Sequence, residues 1–226
     1  MSEILELHNQ LEEIFNTFQY VPLNENTRLE GCEWKNKVFF SPSIRYGHLE
    51  YFKGSNEKIE VLHNVIYPSY FKAIPVFGFD VISLGGKITG VFCDFTPAPY
   101  DFSELRTLQE KVKKELNDCI RELPDWAKFF STDFIAVTPN NNFNDIKDKC
   151  LLMVYEYLRF CEFNDFNNLY LSKEDTINHI TGQNEYSINQ RKNTKTQKAL
   201  AKYIGEDKAN EFIERVLFPS YRFLAT

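Results

Sequence analysis

Five consecutive strand-forming runs between residues 31 and 97 constrain this 226-residue chain more than any other feature. Lys37–Phe40, Ile44–Lys53, Lys58–Tyr67, Val76–Leu84 and Lys87–Phe95 are rich in Val, Ile, Phe and Tyr, and Gly, Pro, Asn and Ser bound them. A parallel neighbour needs a crossover of roughly a dozen residues or more. Runs linked this closely therefore pair antiparallel. Gly85-Gly86 fits a two-residue hairpin turn, which needs positive φ at both positions.

Helical patterns flank the block. Ile4, Leu7, Leu11, Ile14 and Phe18 recur at three- and four-residue steps behind Ser2, a candidate N-cap. Residues 101–122 repeat the pattern with Leu105, Leu108, Val112, Leu116 and Ile120, and residues 144–163 with Ile146, Cys150, Met153, Val154, Tyr157 and Cys161. Phe129–Val137 reads as one more strand between them. The last 50 or so residues read as helical, with breaks at Gly182 and Gly205 and a C-cap at Gly205. Strands in the middle and helices on either side predict an α/β fold, a three-layer α/β/α sandwich with a central antiparallel β-sheet. No linker or internal repeat stands out, so residues 1–226 read as a single domain.

Composition removes several function classes. A net charge of −6 argues against a general nucleic-acid binder. No run approaches the roughly 18–20 apolar residues of a membrane span. The segment Met1–Asn16 is acidic and lacks the apolar stretch of a signal peptide. Cys32, Cys93, Cys119, Cys150 and Cys161 are odd in number and form no CxxC, which fits reduced thiols in a cytoplasmic compartment and no metal site. Phosphate-binding glycine loops, GxSxG elbows and HExxH motifs are absent from the sequence. The unusual quantity is an aromatic content of 15%, which reads either as a Phe-rich core or as a site for a large flat ligand.

Candidate chemistry lies where the strands break their pattern. Ile44, Tyr46, His48, Glu50 and Phe52 share one face, Ile59, Val61, His63, Val65 and Tyr67 another stripe, and Val76, Gly78, Asp80 and Ile82 a third. Each stripe is apolar except for titratable groups: His48 and Glu50, then His63, then Asp80. A lone His on such a stripe is more often a core histidine than a catalyst. Asp80 between Phe79 and Val81 is harder to dismiss, because an unpaired buried carboxylate is costly. Burial raises such a group's pKa and a protonated His beside it lowers it. A His–carboxylate set of this kind can donate protons near neutral pH.

Several ordered segments together carry a resemblance. They are Val61-Leu62-His63-Asn64-Val65 with Pro68, Phe77-Gly78-Phe79-Asp80-Val81, Asp94-Phe95-Thr96-Pro97, Leu123-Pro124-Asp125-Trp126 with Phe130-Ser131, and Gln190 through Thr196 with Val216-Leu217-Phe218. From about residue 35 onward they resemble the ferredoxin-dependent bilin reductases. The branch most similar is that of the phycocyanobilin:ferredoxin oxidoreductases, through the seventeen-residue spacing of His63 and Asp80, the His48-x-Glu50 pair, and Lys192, Asn193, Lys195 and Thr196. The short, Asn/Lys/Phe-rich chain also looks like the compact viral members.

The resemblance implies a bilin held between the sheet and the C-terminal helices. It implies no bound cofactor, with reduced ferredoxin as the external electron donor and biliverdin IXα as substrate. Asp80 would protonate the bilin, His63 would bond its lactam and relay protons, and Glu50, supported by His48, would serve a second position. His48, Thr89, Asn193 and Lys195 would contact the substrate, Lys195 through a propionate. Val137-Thr138-Pro139 stands where many members carry a basic residue, which leaves the second propionate without an Arg partner. The implied product is phycoerythrobilin via 15,16-dihydrobiliverdin, or alternatively phycocyanobilin via reduction of the 18-vinyl group. A non-catalytic bilin carrier is the reading from another class. Implied partners extend to a bilin lyase or phycobiliprotein acceptor, and the protein is expected to be monomeric. For ferredoxin docking, Lys111, Lys113, Lys114, Arg191 and Lys192 are candidates. Phe77, Phe79, Phe92, Phe95, Phe212 and Phe218 lie in or near the motifs that suggest the pocket.

Overall fold

The computed structural model describes residues 2–24, 32–55, 58–96, 102–122, 127, 130–139, 143–163 and 170–221. Seven antiparallel strands follow one another across the sheet in chain order: β1 (Val21–Asn24), β2 (Glu33–Phe40), β3 (Ile44–Lys53), β4 (Ile59–Pro68), β5 (Val76–Leu84), β6 (Lys87–Thr96) and β7 (Ile135–Val137). The β5–β6 turn has φ of +61° at Gly85 and +77° at Gly86, the conformation that the glycine pair predicts.

Helices α1 (Glu3–Thr17), α2 (Ser103–Glu115) and α3 (Phe143–Phe163) cover one face of the sheet. The α1 helix starts at Ser2, whose hydroxyl accepts from the Leu5 amide at 3.2 Å, and buries Ile4, Leu7, Leu11 and Phe15. These meet Leu49, Leu62, Phe77, Phe79 and Phe95 from the sheet and Met153 and Tyr157 from α3, all essentially inaccessible. Each such side chain contributes about 1.5–3 kcal/mol by leaving water, which makes this layer the main source of stability. The second face carries α4 (Lys173–Arg191), α5 (Thr194–Ile204) and α6 (Glu206–Phe212), the last running into a π-helical turn at Ile213–Leu217. The three-layer arrangement is the one that a central block of strands flanked by helices predicts.

Some boundaries differ. The seventh strand is three residues long rather than the nine of Phe129–Val137, and Phe129 lies outside the described residues. The helix expected over 101–122 ends at Glu115. After a 3₁₀ turn the chain turns extended, because the edge of β7 offers unpaired ladder groups. Ile120 bridges Val137, and the Arg121 amide donates to the Ala136 carbonyl at 2.9 Å. Gly182 sits inside an unbroken α4, where neighbouring residues sustain the helix, whereas Gly205 (φ +82°) does end α5. The motif Leu123–Trp126 and Pro97 lie outside the described residues.

The aromatics divide between the faces. Phe77 and Phe95 stack on Tyr157 at 5.1 and 5.7 Å on the α3 side, and Phe79 joins them. These three are core, contrary to the expectation that placed them by the pocket. Alternation is the reason: they are one residue off the stripe of Gly78, Asp80 and Asp94.

Candidate active site

The C-terminal helices do not close down on the sheet along its whole length. A cavity of about 610 Å³ remains between the two layers, within the roughly 300–1,000 Å³ usual for organic ligands. Its floor is the β3–β6 surface, with Glu50, Val61, His63, Asp80, Ile82 and Phe92 facing up. Its roof comes from α4, α5 and the turn after α6, with Tyr186, Asn193, Lys195, Leu200 and Phe218. Phe130, Phe134 and Arg121 wall one side. Gly78 lets the roof come close, since a Cβ there would sit 2.8 Å from the Tyr186 hydroxyl.

Sheet register assembles the titratable groups. Glu50 is directly opposite His63, and His63 directly opposite Asp80, so three strands place three side chains in one row. His63 Nδ1 and Asp80 Oδ1 are 2.6 Å apart. Phe218 meets the His63 ring edge-on at 5.4 Å. His63 Nε2 is buried at the cavity wall with no hydrogen-bond partner.

Burial disfavours the charged imidazolium of His63. The Asp80 carboxylate, by charge and hydrogen bond, and Glu50 more weakly, overcome that burial and raise its pKa above the usual 6.5. Glu50 is the reverse case. Its burial outweighs the His63 charge and the Trp34 hydrogen bond, and pushes it from 4.5 up to about 7. That shift corresponds to about 3 kcal/mol against ionisation. Asp80 is 37% exposed through its side chain and opens onto the cavity. The expectation that Phe79 and Val81 bury it fails, because both point into the opposite core. The row thus offers an exposed carboxylate coupled to an imidazole, and a carboxyl group that retains its proton near neutral pH.

Most of the remaining sequence candidates reach the cavity. Thr89, Asn193 and Lys195 line it, and Asn193 also caps α5, accepting from the Lys195 amide at 3.2 Å. His48 does not line it. It is fully buried behind the wall, with Nε2 3.0 Å from Asn36 Oδ1 and its ring 5.7 Å from that of His63. Burial, then the His63 charge, holds it well below the usual histidine range, so it is a neutral spacer rather than a ligand contact. Phe92 and Phe218 line the cavity, whereas Phe212 packs beneath, against Trp34 at 4.9 Å.

Four side chains were given no role by the sequence reading: Trp34, Asn36, Arg121 and Asp94. Trp34 Nε1 donates to Glu50 Oε1 at 2.6 Å. Both Trp34 and Asn36 lie on the first half of β2, where interleaved charged residues blurred the strand pattern. Alternation of Trp34, Asn36 and Val38 was the available signal. Arg121 reaches the cavity because its backbone joins the sheet edge, which a helical reading of that stretch hides. Asp94 is buried and accepts from the Ser131 amide at 3.0 Å, Gln109 Nε2 at 2.8 Å and Thr96 Oγ1 at 3.0 Å, tying down the segment that carries Phe130 and Phe134.

A family model for ferredoxin-dependent bilin reductases matches residues 4–219. The chain belongs to that family, oxidoreductases that act on linear tetrapyrroles. It is 31% identical over 193 residues to phycocyanobilin:ferredoxin oxidoreductase of Prochlorococcus marinus, covering 81% of this chain and 74% of that one. It is 26% identical over 234 aligned positions to the Trichodesmium erythraeum enzyme of the same name, covering 96% and 93%. Among solved structures, tomato phytochromobilin synthase in complex with biliverdin superposes with a TM-score of 0.71 at 16% identity, over 94% of this chain and 81% of the other. PcyX superposes with a TM-score of 0.64 at 21% identity, over 97% and 100%.

The His63–Asp80 pair is open to direct measurement. In Asp80→Asn the charge that offsets burial is gone, so the His63 titration followed by histidine NMR moves to lower pH. An unchanged midpoint would show that Asp80 does not hold the imidazolium.

Proposed function

We propose that this protein reduces biliverdin IXα by four electrons, taken singly from reduced ferredoxin, with four protons delivered by way of its own side chains. The observation that carries the reading is the row of Glu50, His63 and Asp80 on the floor of a cavity large enough for an organic ligand. A carrier needs no such acid set. Asp80, coupled to His63, is the donor with the most open access to the ligand. Glu50 is a second donor, since it keeps its proton to about pH 7. Electrons arriving one at a time imply bilin radicals between protonations.

Two cations line the cavity, Lys195 from the roof and Arg121 from the side. In this reading they face the two propionates. Arg121 then replaces the basic residue missing at Val137, which is itself buried in the sheet. Thr89 and Asn193 shape the pocket around the ring system. In this reading the product is phycoerythrobilin via 15,16-dihydrobiliverdin, which rests on the resemblance of the sequence to the family's viral members. The names of the two cyanobacterial relatives favour phycocyanobilin as the second reading.

Reduced ferredoxins are acidic, so docking calls for a basic surface near the bilin. The α5 helix has Lys195, Lys198 and Lys202 exposed, with Lys192 just before it and no acidic residue within it. It also roofs the cavity, which shortens the electron path. The other candidates are less suited. Lys111 and Lys114 ride on α2 on the opposite face, and Lys113 donates to the Thr132 carbonyl at 2.8 Å. Arg191 is committed to the Phe218 carbonyl at 3.1 Å and the Ser220 hydroxyl at 2.9 Å. No helix among the described residues is long and apolar enough to cross a membrane.

Biliverdin added to the protein shifts and sharpens its visible spectrum, and anaerobic addition of reduced ferredoxin converts it to a phytobilin identified by chromatography. Binding without conversion would favour the carrier, and no binding would overturn both readings. Arg121→Ala weakens biliverdin binding about fivefold while leaving the single-turnover rate at saturation unchanged, the modest size following from its exposure. Lys198→Glu with Lys202→Glu raises the KM for ferredoxin and flattens its dependence on salt, with biliverdin affinity unaltered.

A further inference from the structure

Trp34 is the one group that touches Glu50 through a direct side-chain hydrogen bond among the described residues, and it comes from β2, outside the cavity wall. Its partner in sheet register is Phe52, so the indole reaches diagonally across to Glu50. It is held there from two sides, by Phe52 at 5.7 Å and Phe212 at 4.9 Å, both edge-on. An indole N–H can only donate. It therefore bonds a lone pair of Oε1 whether Glu50 is charged or neutral, and leaves Oε2 to carry any proton.

We propose that Trp34 is a positioning residue that locks the Glu50 carboxyl by Oε1, so that its transferable proton sits on Oε2 toward the cavity. This rests on the reading of Glu50 as a proton donor. When the proton leaves Oε2 for the ligand, the charge left on the carboxylate is stabilised at Oε1 by the same N–H, with the electron coming from reduced ferredoxin. The titratable and charged groups around Glu50 are His48 on its own strand, His63 on β4 and Asp80 on β5, with Lys195 and Arg121 elsewhere on the cavity wall. From β2 the neighbours are neutral, Trp34 and Asn36. The indole is thus the one contact on that side that favours the carboxylate, and it limits how far burial can raise Glu50.

The sign follows. Removing a donor to the charged form raises the acid's pKa. An activity that needs protonated Glu50 falls on the alkaline side, so Trp34→Phe moves that alkaline limb up by about one pH unit, while loss of orientation lowers kcat on the order of tenfold with little change in KM. A merely structural Trp34 would lower stability and leave the limb in place. A second measurement needs neither bilin nor ferredoxin nor a folded Trp34 variant. The chain has two tryptophans, so wild-type protein labelled at the indole nitrogens gives two indole N–H signals. One of them, assigned with Trp126→Phe, titrates with a midpoint near that of Glu50, and the titration disappears in Glu50→Gln. If neither indole signal titrates, or the Trp34 titration survives Glu50→Gln, the positioning role is wrong even where turnover of biliverdin stands. If the titration is seen but no bilin is reduced, the hydrogen bond stands and the reductase reading falls.

Discussion

The pairing of Glu50 with His63, and of His63 with Asp80, across three antiparallel strands is the constraint on which the site depends. Directly opposed residues hold their side chains about 4.5–5.5 Å apart, which is close enough for each charge to set the next one's pKa. A slip of one residue would send the whole row to the other face. The register is secured by how unlike the two faces are. The α3 side demands Leu62, Phe79 and Val81 in a dry core, and their neighbours His63 and Asp80 must then point to the cavity. Packing on one face thus positions the chemistry on the other.

The two helix layers do different work. The first packs a dense core on its side, with Phe77 and Phe95 each stacked on Tyr157. The second is pinned by a few long-range polar contacts, such as Tyr46 to the Val216 carbonyl at 2.6 Å and Tyr67 to Ser187 at 2.9 Å, and leaves a void between them and α5. The same aromatic abundance therefore has two roles. Buried on the α3 side it stabilises the fold, and at Phe92 and Phe218 it offers flat surface to whatever occupies the cavity.

Much of the floor of the site was legible because a strand writes its faces into the sequence with period two. His63, Asp80 and Glu50 stood out as polar interruptions of apolar stripes, and the Gly85-Gly86 turn fixed the pairing of β5 with β6. Pairing between separate strands is not written locally. Trp34 meets Glu50 only once β2 is aligned beside β3, and Arg121 reaches the cavity only because its backbone leaves the helix to join β7. Nor can a stripe show how deep each position lies. His48 and His63 look equivalent in the sequence, yet one is sealed beneath Phe212 and the other reaches the cavity wall. Asp80 looked buried because its neighbours in sequence are apolar, whereas its neighbours in space are those of an open cavity.

Keeping protons on the site and keeping the fold stable go together. Glu50 binds its proton more tightly folded, about 7, than its ordinary 4.5, so its stabilising contribution is complete below 4.5 and is lost as pH rises through about 7. His63 is also raised, so its contribution is present below 6.5 and is lost as pH rises through its folded value. Both shifts have the same sign. Raising the pH toward the alkaline side therefore drains stability from the β3–β5 region just as it removes the protons that the site would deliver. On the opposite face the buried thiols and phenols stay protonated, while burial holds the His8 imidazole of α1 below its usual range, a shift of the opposite sign. A dry, largely apolar core on one face is what allows the other face to hold a carboxyl group and an imidazole shifted from their ordinary protonation.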